Sequence, residues 1–529
     1  MQSTTRLHGY LKQYFGYENF REGQEPLIQQ LLGGGDCLGV MPTGAGKSLC
    51  YQVPALALDG LTLIISPLIS LMKDQVDALR DAGVAAALVN STLSPQERAE
   101  VMRDACAGRY KLLYLAPERL DAEDFRQVAS RLNIALVAVD EAHCISQWGQ
   151  DFRPSYLRIA NFIESLPVRP PVGAFTATAT APVREDIISL LKLREPLTIS
   201  TGFDRPNLYF AVKRPRDKDD AVIDFLRKQG EKGDASKSGI IYCATRAATD
   251  ELHALLESEG FAVARYHAGM TEQDRRVSQN DFINDVRPIM VATNAFGMGI
   301  DKSNVGFVIH YNMPKNLESY YQEAGRAGRD GSPATCLLLY APSDVATARY
   351  LIAHSTDSSD WGKEAREALQ EKDLELLKHM TFYATTNDCL RRFILAYFGE
   401  TTAPLCDNCS NCHSTFEEVD ATVDAQKVLS CVFRLQERGR SLGKGTIVNI
   451  LRGSKAQRIT QLGLETLSTY GIMATVAPDR VYRVIDHLLA TGHLALTGAD
   501  YPVLQLANDW RSLLAKDAHY LIKVPKEVQ

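Results

Sequence analysis

The stretch Cys37-Leu38-Gly39-Val40-Met41-Pro42-Thr43-Gly44-Ala45-Gly46-Lys47-Ser48 decides the fold of the 529-residue chain. Its apolar first part predicts a buried strand, and the glycine-rich run ending in Gly-Lys-Ser predicts a phosphate-binding loop with a helix opening at Lys47. Glycines let main-chain N–H groups close around phosphates, and a helix N-terminus favours the anion. One position departs from the strict pattern, because Met41 stands where glycine is usual. A lone match of this kind also occurs in ordinary glycine-rich turns.

Specific side chains of this loop suit the binding of a nucleotide with Mg²⁺. Lys47 is expected to reach the β- and γ-phosphates, and Ser48 to ligate Mg²⁺. Thr43, Gly44 and Gly46 are expected to form the cradle around the phosphates.

A second motif, Asp140-Glu141-Ala142-His143, follows the apolar run 134–140. A carboxylate at the C-terminal end of a parallel strand lies beside the phosphate loop in such sheets. Asp140 is expected to hold Mg²⁺, directly or through water, and Glu141 to polarise the attacking water. The alternative, a helix cap with a solvated turn, is disfavoured because the phosphate loop precedes it.

Apolar strands alternate with helical patterns along most of the chain. Buried strands are predicted at 61–66, 111–116, 134–140 and 173–178, with a helical face at Leu68, Leu71, Met72, Val76 and Leu79 between the first two. After a charged, proline-containing break near 200–220, strands resume at 239–243, 261–266, 289–293, 305–311 and 336–340. The pattern predicts an α/β protein with two similar parallel-sheet halves in tandem. Residues 343–400 are helical in pattern, and a small mixed segment begins near 419.

Bulk properties are those of an ordinary globular protein, with 45% hydrophobic and 23% charged residues. The net charge is −6, yet residues 420–529 carry 14 Lys and Arg against 10 Asp and Glu, a local excess of +4. A basic module beside an acidic remainder is consistent with DNA binding. No apolar run is long enough for a transmembrane helix, and the N-terminal residues lack the apolar core of an export signal. Cys37, Cys50, Cys106 and Cys243 are expected to be buried, reduced thiols.

Four other cysteines form a metal-binding pattern. Cys406, Cys409 and Cys412 are spaced as CxxCxxC, and Cys389 precedes them. Four thiolates suit a closed, tetrahedral Zn²⁺ site. The tight spacing also suits an iron–sulfur cluster, so spacing alone leaves both open. His413 is a rival ligand next to Cys412 that points elsewhere if Cys412 binds the metal.

Taken together, the motifs resemble those of the RecQ family of superfamily 2 DNA helicases. The matching segments, which extend over nearly the whole chain, are FGYENFREGQ (15–24), MPTGAGKSLCYQ (41–52), SPLISLMKDQ (66–75), DEAHCISQWGQDFRP (140–154), TATA (176–179), AFGMGIDK (295–302) and YYQEAGRAGRDG (320–331). The resemblance implies two tandem RecA-like domains over 1–205 and 206–342. It also implies a helical zinc-binding subdomain over 343–418 and a winged-helix DNA-binding domain over 419–529.

The resemblance assigns further residues to the nucleotide. It implies that ATP lies between the two halves, with one or both of Arg326 and Arg329 reaching its γ-phosphate from the second. These arginines are expected to lie one helical turn apart and to face one direction; the alternative is a solvated basic helix face. Gln24 is expected to pair with an adenine edge, flanked by Tyr17 and Arg21. The resemblance also places Zn²⁺ on Cys389, Cys406, Cys409 and Cys412, so the implied cofactors are ATP, Mg²⁺ and Zn²⁺.

In the C-terminal module, phosphate contacts are expected from Arg452, Lys455 and Arg458 in the basic stretch 443–463, unless this is only a solvated face. Residues 471–485 predict a short hairpin with its turn near Pro478-Asp479. That turn departs from many relatives because it lacks Trp or His and offers only Arg480 and Tyr482. The role of such a hairpin as a strand-splitting wedge is therefore in doubt.

Residues 144–154 are interpreted as a loop that couples DNA to ATP, since they follow Asp140 and Glu141 directly. Trp148 and Phe152 are large aromatics among polar residues and glycine, which favours base stacking over a core strand. Arg153 is expected to neutralise a phosphate or to sense the ATP cleft. The alternative for Trp148 is packing between domains.

The motifs predict an ATP-driven DNA translocase that unwinds duplexes, and the resemblance implies 3′-to-5′ polarity and a role in recombination, repair, replication and the SOS response. Expected partners are single-stranded and duplex DNA, single-strand-binding protein and a topoisomerase, for a cytoplasmic, nucleoid-associated monomer. One rival is an RNA-directed helicase of the DEAH class, which the 144–154 stretch and the four cysteines disfavour. The other is a non-enzymatic DNA-binding module, which the intact Lys47, Asp140 and Glu141 disfavour.

Overall fold

A computed structural model describes residues 2–67, 69–90, 93–149, 151–231, 237–296, 302–354, 363–414, 416–497, 503–507, 509–515 and 518–525. The chain divides into two compact units. The first comprises Met1–Leu376 and Arg391–Ala403, and the second comprises Leu377–Leu390 and Pro404–Gln529.

The first half of unit 1 is built on a seven-stranded parallel sheet in the order β3-β4-β2-β5-β6-β1-β7. Its strands are β1 (Cys37–Val40), β2 (Leu61–Ile65), β3 (Ala86–Val89), β4 (Leu112–Leu115), β5 (Ile134–Val139), β6 (Val172–Thr176) and β7 (Leu197–Ser200). The strands β1, β2, β4 and β6 are buried throughout, as expected where helices cover both faces of a parallel sheet. These helices are α1 (Gln2–Phe15), α2 (Gln24–Leu32), α3 (Leu49–Ala57), α4 (Ile69–Asp81), α5 (Pro95–Cys106), α6 (Glu123–Ala129), α7 (Ile159–Ser165) and α8 (Ala181–Leu190).

The second half of unit 1 repeats this plan with a six-stranded parallel sheet in the order β10-β11-β9-β12-β13-β8. Its strands are β8 (Leu208–Lys213), β9 (Ser238–Tyr242), β10 (Val263–Tyr266), β11 (Ile289–Ala292), β12 (Val305–His310) and β13 (Ala334–Leu339). The helices that accompany or follow it are α9 (Lys218–Glu231), α10 (Arg246–Ser258), α11 (Glu272–Ile283), α12 (Leu317–Ala324), α13 (Pro342–Ala353), α14 (Lys363–Thr385) and α15 (Leu390–Tyr397).

Unit 2 is mainly helical. Its helices are α16 (Ser410–His413), α17 (Thr422–Glu437), α18 (Lys444–Leu451), α19 (Gln457–Gln461) and α20 (Pro478–Ala490). Two antiparallel pairs complete it: β14 (Phe416–Asp420) with β17 (Leu521–Pro525), and β15 (Leu494–Thr497) with β16 (Val503–Leu506). The buried apolar faces of α17, α18 and α20 form its core.

The predicted α/β class with two tandem parallel sheets is confirmed. The helix after the phosphate loop begins at Leu49 with Ser48 as its N-cap, two residues later than the predicted start at Lys47.

The hairpin predicted over 471–485 is wrong. Pro478 opens the helix α20, and the antiparallel hairpin lies later, at β15 and β16. The physical reason is the spacing of Val481, Val484, Ile485 and Leu488, all buried, which repeats with the period of a helix. Proline is also favoured in the first turn of a helix.

Several expectations remain outside what the structure describes. Leu68, Gln150 and residues 297–301 of the AFGMGIDK segment lie outside the described residues. The domain boundaries at 205, 342 and 418 stay predictions. Among the described residues, no helix is both long enough and apolar enough to cross a membrane.

Candidate active site and metal centre

Side chains outside the loop between β1 and α3 donate hydrogen bonds to the carbonyl oxygens of the loop. Gln24 donates through Nε2 to the carbonyls of Ala45 (3.0 Å) and Gly46 (3.1 Å), and Arg21 donates to the carbonyl of Gly44. Gly44 and Gly46 have left-handed φ angles of 86° and 80°, which glycine adopts without steric cost. Because C=O and N–H point in opposite directions across a trans peptide, the N–H groups of Gly46 and Lys47 point away from Gln24. This is the arrangement that a phosphate-binding loop requires.

Lys47, Asp140 and Glu141 meet beside this loop. The Lys47 ammonium donates to the carbonyl of Met41 (3.2 Å), and burial lowers its pKa while Glu141 and Asp140 raise it. Burial, aided by the charge of Glu141, raises the pKa of Asp140 to about 7. Gln75 donates to Ser48 Oγ (3.3 Å), so the hydroxyl predicted to ligate Mg²⁺ has a fixed orientation. The cluster combines one cation with two carboxylates, as a Mg²⁺–nucleotide site needs.

The peptide after Asp140 turns sharply. Glu141 adopts a left-handed φ of 46°, a conformation that is uncommon outside glycine and typical of functional sites. His143 Nδ1 lies 3.3 Å from Glu141 Oε2 and 2.8 Å from Thr176 Oγ1. Burial lowers the pKa of His143, which favours the neutral imidazole. The Tyr156 hydroxyl donates to the carbonyl of Asp140 (2.9 Å) and fixes this turn from behind.

Arg326 and Arg329 are brought to the same edge, but not by a helix. Helix α12 ends at Ala324, Gly325 caps it, and Gly328 has a left-handed φ of 56°. The prediction that the two arginines lie one helical turn apart is therefore wrong, because α12 ends before Arg326 and only Gly328, with its left-handed φ, lies among the residues between the arginines as a helix-breaking position. Arg326 is buried and lines a pocket with Glu141. The charge of Arg329 lowers the pKa of Lys47, and its side chain packs next to Gly44.

The three residues predicted to contact adenine are placed differently from one another. Tyr17 is 51% exposed. Gln24 is only 1% exposed, and its Oε1 accepts from the main-chain N–H of Arg21 (2.8 Å) while its Nε2 serves the loop. Both ends of the Gln24 amide are thus engaged within the protein, and the adenine contact stays a prediction.

The 144–154 segment is anchored on several sides. Arg153 donates to the carbonyl of Pro67 (3.0 Å) and pairs with Asp151 (3.0 Å), while Ser146 Oγ donates to Asp186 (2.6 Å). Phe152 is half-buried. Trp148 is 59% exposed, which is at odds with a packing role for its ring. The anchored loop therefore presents one aromatic ring to solvent, as base stacking requires.

Sequence reasoning missed other residues of this region. Lys372 on α14 donates to the carbonyl of Gly149 (2.6 Å), and Asp186 holds Ser146. Lys315 and Asn294 of the second half line a pocket together with Glu141 and Arg153 of the first. None of these residues had a role that a motif predicts, and Lys372 is 223 residues away from Gly149 in the sequence.

The four predicted cysteines converge in unit 2. The sulfurs of Cys389, Cys406, Cys409 and Cys412 all lie within 4.8 Å of one another, and those of Cys406 and Cys412 are 3.9 Å apart. A tetrahedral Zn²⁺ with Zn–S bonds of about 2.3 Å requires S–S separations of about 3.8 Å. Iron–sulfur clusters attach cysteines to different iron atoms and need more room. The sulfur geometry therefore fits one zinc ion.

The surroundings of the cluster agree with this set of ligands. His413 Nε2 lies 2.8 Å from the carbonyl of Asp407, so the imidazole is engaged away from the cysteines. Asn411 donates to the carbonyls of Thr386 (3.0 Å) and Asp388 (2.8 Å), which ties the loop of three cysteines to the segment that carries Cys389.

The basic residues predicted to contact DNA divide into two sets. Lys455 and Arg458 are exposed, whereas Arg452 donates to the carbonyl of Val476 (3.1 Å). Arg480 and Tyr482 lie on α20, not on a hairpin turn, which corrects their predicted placement. Arg480 pairs with Asp424 (2.8 Å), and Lys444 lies over the Tyr482 ring. Residues 498–502, which follow β15 and precede β16 in the sequence, lie outside the described residues.

Four family models match successive parts of the chain. They are the DEAD/DEAH box helicase over residues 21–187, the helicase conserved C-terminal domain over 217–331, the RecQ zinc-binding family over 342–413 and the RQC domain over 415–529. The match to a helicase ATP-binding domain and to a zinc-binding family with four clustered cysteines supports ATP and Zn²⁺ as ligands.

Individual proteins give the same result. The chain is 43% identical over 510 residues to a Bacillus subtilis protein named ATP-dependent DNA helicase RecQ, covering 96% of this chain and 83% of that one. It is 39% identical over 517 residues to the Haemophilus influenzae protein of the same name, covering 98% and 81%. In fold, it is similar to S. cerevisiae Dbp5 bound to RNA and ADP BeF3, with a TM-score of 0.51 at 18% identity, covering 70% of this chain and 97% of that one.

Proposed function

Because the chain belongs to the RecQ helicase family, we propose that it hydrolyses ATP to move along single-stranded DNA and to unwind duplexes with 3′-to-5′ polarity. One observation carries this proposal. Lys47, Asp140 and Glu141 of the first half lie beside Arg326 and Arg329 of the second, so two independent sheets contribute to one cleft. A site built across two halves can couple hydrolysis to relative movement.

The chemistry follows from these groups. The loop N–H groups and Lys47 bind the phosphates, while Ser48 and Asp140 would hold Mg²⁺, which would neutralise phosphate charge when bound. Glu141, on its strained turn, accepts a hydrogen bond from the attacking water and orients it. Arg326 and Arg329 stabilise the charge that develops on the transferred phosphoryl group. Tyr17, Arg21 and Gln24 contact the base, and Thr43, Gly44 and Gly46 line the cradle.

The 144–154 loop is proposed to sense DNA. Trp148 stacks on bases without choosing sequence, with Phe152 beside it, and Arg153 links the loop to Pro67 and so to the ATP cleft. Because the loop follows Asp140 and Glu141 directly, a shift of its main chain reaches both carboxylates.

Strand separation on tailed duplexes tests the proposal directly. We expect unwinding of 3′-tailed but not 5′-tailed DNA with ATP, and none with a non-hydrolysable analogue. Glu141→Gln serves as the matched control, since it is expected to bind ATP while turnover falls at least about a hundredfold. Equal unwinding of matched RNA duplexes would favour the rival RNA helicase, and absent ATP turnover with single-stranded DNA would favour the binding module.

A DNA-sensing role makes a separate prediction for Trp148. Trp148→Ala should retain its melting temperature and ATP binding, but lose most of the DNA stimulation of ATPase, because base stacking contributes about 1–3 kcal/mol per aromatic ring. Trp148→Phe, which keeps an aromatic ring at this position, is the conservative control and should retain most of the DNA stimulation. A destabilised variant that still responds fully to DNA would contradict this role.

We further propose that Cys389, Cys406, Cys409 and Cys412 hold one Zn²⁺, which stabilises the fold of unit 2. Structural zinc contributes on the order of 10 kcal/mol to small modules. Metal analysis should find one zinc per chain, and Cys412→Ser should give protease-sensitive protein. His413→Ala is the neighbouring control and should retain the metal. Iron with a visible absorption band would overturn the assignment.

The remaining assignments are proposals of the same kind. Arg452, Lys455, Arg458, Arg480 and Tyr482 are assigned to duplex DNA, within a winged-helix domain over 419–529. The other domains are assigned to 1–205, 206–342 and 343–418. The protein is proposed to be a cytoplasmic, nucleoid-associated monomer that works with single-strand-binding protein and a topoisomerase in recombination, repair, replication and the SOS response. Deletion of 419–529 should weaken duplex binding more than the ATPase stimulated by single strands.

A further inference from the structure

Arg205 lies in the segment that joins the two sheets, between β7 and β8, and its guanidinium faces four main-chain carbonyls. Nη1 donates to the carbonyls of Thr43 (3.2 Å) and Gly325 (3.3 Å). Nη2 donates to those of Ala327 (3.0 Å) and Gly328 (2.9 Å), and Nε reaches Asn207 Oδ1 at 3.4 Å. All three nitrogens of one side chain are therefore in use.

The four carbonyls belong to the two parts of the ATP cleft. Thr43 is in the phosphate loop of the first half. Gly325, Ala327 and Gly328 are in the second half, where they surround Arg326 and precede Arg329. The side chain of Arg205 thus fastens the arginine-bearing segment to the phosphate loop without touching the groups that react.

The charge of Arg205 is unusual in its surroundings. Burial lowers its pKa, and among the described residues it forms no ion pair with a carboxylate. The carbonyl dipoles at the end of α12 are what stabilise the cation. A partly buried charge without a counter-ion is costly, so the hydrogen bonds from Arg205 to the four carbonyls are needed to offset that cost.

The main chain around Arg205 is itself held in place. Arg391 donates through Nη1 to Asp204 Oδ1 (2.6 Å) and to the carbonyl of Arg205 (2.6 Å), and through Nη2 to the carbonyl of Leu208 (2.5 Å). The Tyr321 hydroxyl donates to the carbonyl of Phe203 (2.7 Å). Both sides of Arg205 are fixed, so the position of its guanidinium is set by the joining segment.

We propose that Arg205 is a positioning residue for ATP hydrolysis. It holds residues 325–329 against the phosphate loop and thereby sets where the Arg326 and Arg329 guanidinium groups lie when ATP is bound. This inference rests on the proposed ATPase function. Loss of Arg205 leaves phosphate binding by the loop intact but displaces the groups that stabilise the transition state.

The test compares Arg205→Ala and Arg205→Lys with the control Arg216→Lys, an exposed arginine between β8 and α9. In DNA-stimulated ATPase assays, Arg205→Ala should lower kcat by roughly a hundredfold, the effect of about 1 Å of misplacement, with KM for ATP within about threefold. Arg205→Lys should restore little, because an ammonium cannot span the four carbonyls as a planar fork does. Dilute guanidinium chloride, but not sodium chloride, should recover part of the kcat of Arg205→Ala.

Hydrogen exchange provides a readout that does not depend on activity. The amides of Arg326, Ala327 and Gly328 donate to main-chain carbonyls and should be protected in the intact protein. In Arg205→Ala their exchange should rise at least about tenfold, while that of α3 stays unchanged. Unchanged exchange and a kcat within threefold of the intact protein would overturn the inference, as would a general loss of ATP binding and melting temperature. If the intact protein and Arg216→Lys lack ATPase activity, the proposed function fails; increased exchange in Arg205→Ala would still support the fastening.

Discussion

The two halves of unit 1 share the order of six strands, with β7 as an additional strand of the first, yet different residues follow their equivalent strands. Aligning the sheets by that order pairs β1 with β8 and β5 with β12. A lysine follows the first strand of each pair, Lys47 after β1 and Lys218 after β8. Each of these lysines also lies near the residue that directly follows the second strand, Asp140 after β5 and Tyr311 after β12.

The hydrogen bonds of the two lysines differ. Among the described residues, the Lys47 ammonium makes a single hydrogen bond, to Met41. Lys218 donates to the Tyr311 carbonyl (2.7 Å) and to both Asp344 oxygens (2.9 and 2.8 Å), with the two side chains 13% and 3% exposed. An ammonium has three donors. Lys47 in the first half therefore keeps donors for a ligand, whereas Lys218 in the second half uses all three of its donors within the protein.

The largest effect is expected on the free energy of unfolding when the lysine of the second half is replaced. Lys218→Met leaves Asp344 buried without its counter-ion, which should cost about 3–5 kcal/mol of unfolding free energy. Urea unfolding monitors the change, and kcat per folded molecule should stay near normal. The double variant Lys218→Met, Asp344→Leu should recover most of the stability, because a well-packed apolar pair often replaces a buried ion pair without loss. If Lys218→Met kept its stability but lost its ATPase activity, Lys218 would have the role in turnover that is proposed for Lys47.

The first half should show the opposite behaviour. Lys47→Ala should lower DNA-stimulated ATPase at least about a hundredfold, since a phosphate and transition-state contact is removed. Its urea unfolding should show no loss of stability relative to the intact protein. Glu141→Gln and Arg329→Ala are expected to lose similar activity, while Lys218→Arg serves as a matched lysine control. Near-normal turnover in Lys47→Ala would remove this lysine from the site.

The raised pKa of Asp140, caused by burial and by the charge of Glu141, gives a further test of the first half. If Asp140 holds Mg²⁺ as proposed, its raised pKa, about 7, means that below this pH a proton must leave before the carboxylate can bind the ion. The Mg²⁺ concentration for half-maximal ATPase should therefore increase as pH falls below about 7, by up to about tenfold per unit. In Glu141→Gln, the weakening of Mg²⁺-dependent ATP binding should begin at a lower pH, because the charge of Glu141 no longer raises the pKa of Asp140. A flat profile would contradict the assignment.

The smallest effect concerns the stability cost of Lys47. Burial lowers its pKa, so the charged form destabilises the folded state at neutral pH, and the penalty fades as pH rises through the lowered pKa. Lys47→Met should thus raise the melting temperature, by the equivalent of roughly 0.5–2 kcal/mol. Differential scanning calorimetry at about pH 7 and pH 10 should show the gain shrinking at the higher value. A destabilised Lys47→Met would mean that this lysine supports the fold as Lys218 does.

Local patterns predicted much of this architecture. Continuous apolar runs found the central strands, and the cysteine spacing found the cluster. A hairpin was predicted where α20 lies because the segment was interpreted with the two-residue period of a strand. The spacing of Val481, Val484 and Leu488 is that of a helix. The role of Arg205 was beyond prediction for a physical reason: its partners are main-chain carbonyls more than a hundred residues away, and carbonyls have no sequence signature.

The division of the chain into units has a practical consequence for anyone who dissects it. The polypeptide leaves unit 1 after Leu376, returns to it at Arg391 and leaves again after Ala403. A single protease cut cannot release either unit whole. A truncation at residue 376 also discards Arg391 and Phe398, the latter stacked on Phe203 at 4.3 Å between ring centroids. A truncated protein designed to isolate the ATPase should therefore extend through Ala403. Otherwise the segment between β7 and β8 loses its contacts with Arg391 and Phe398.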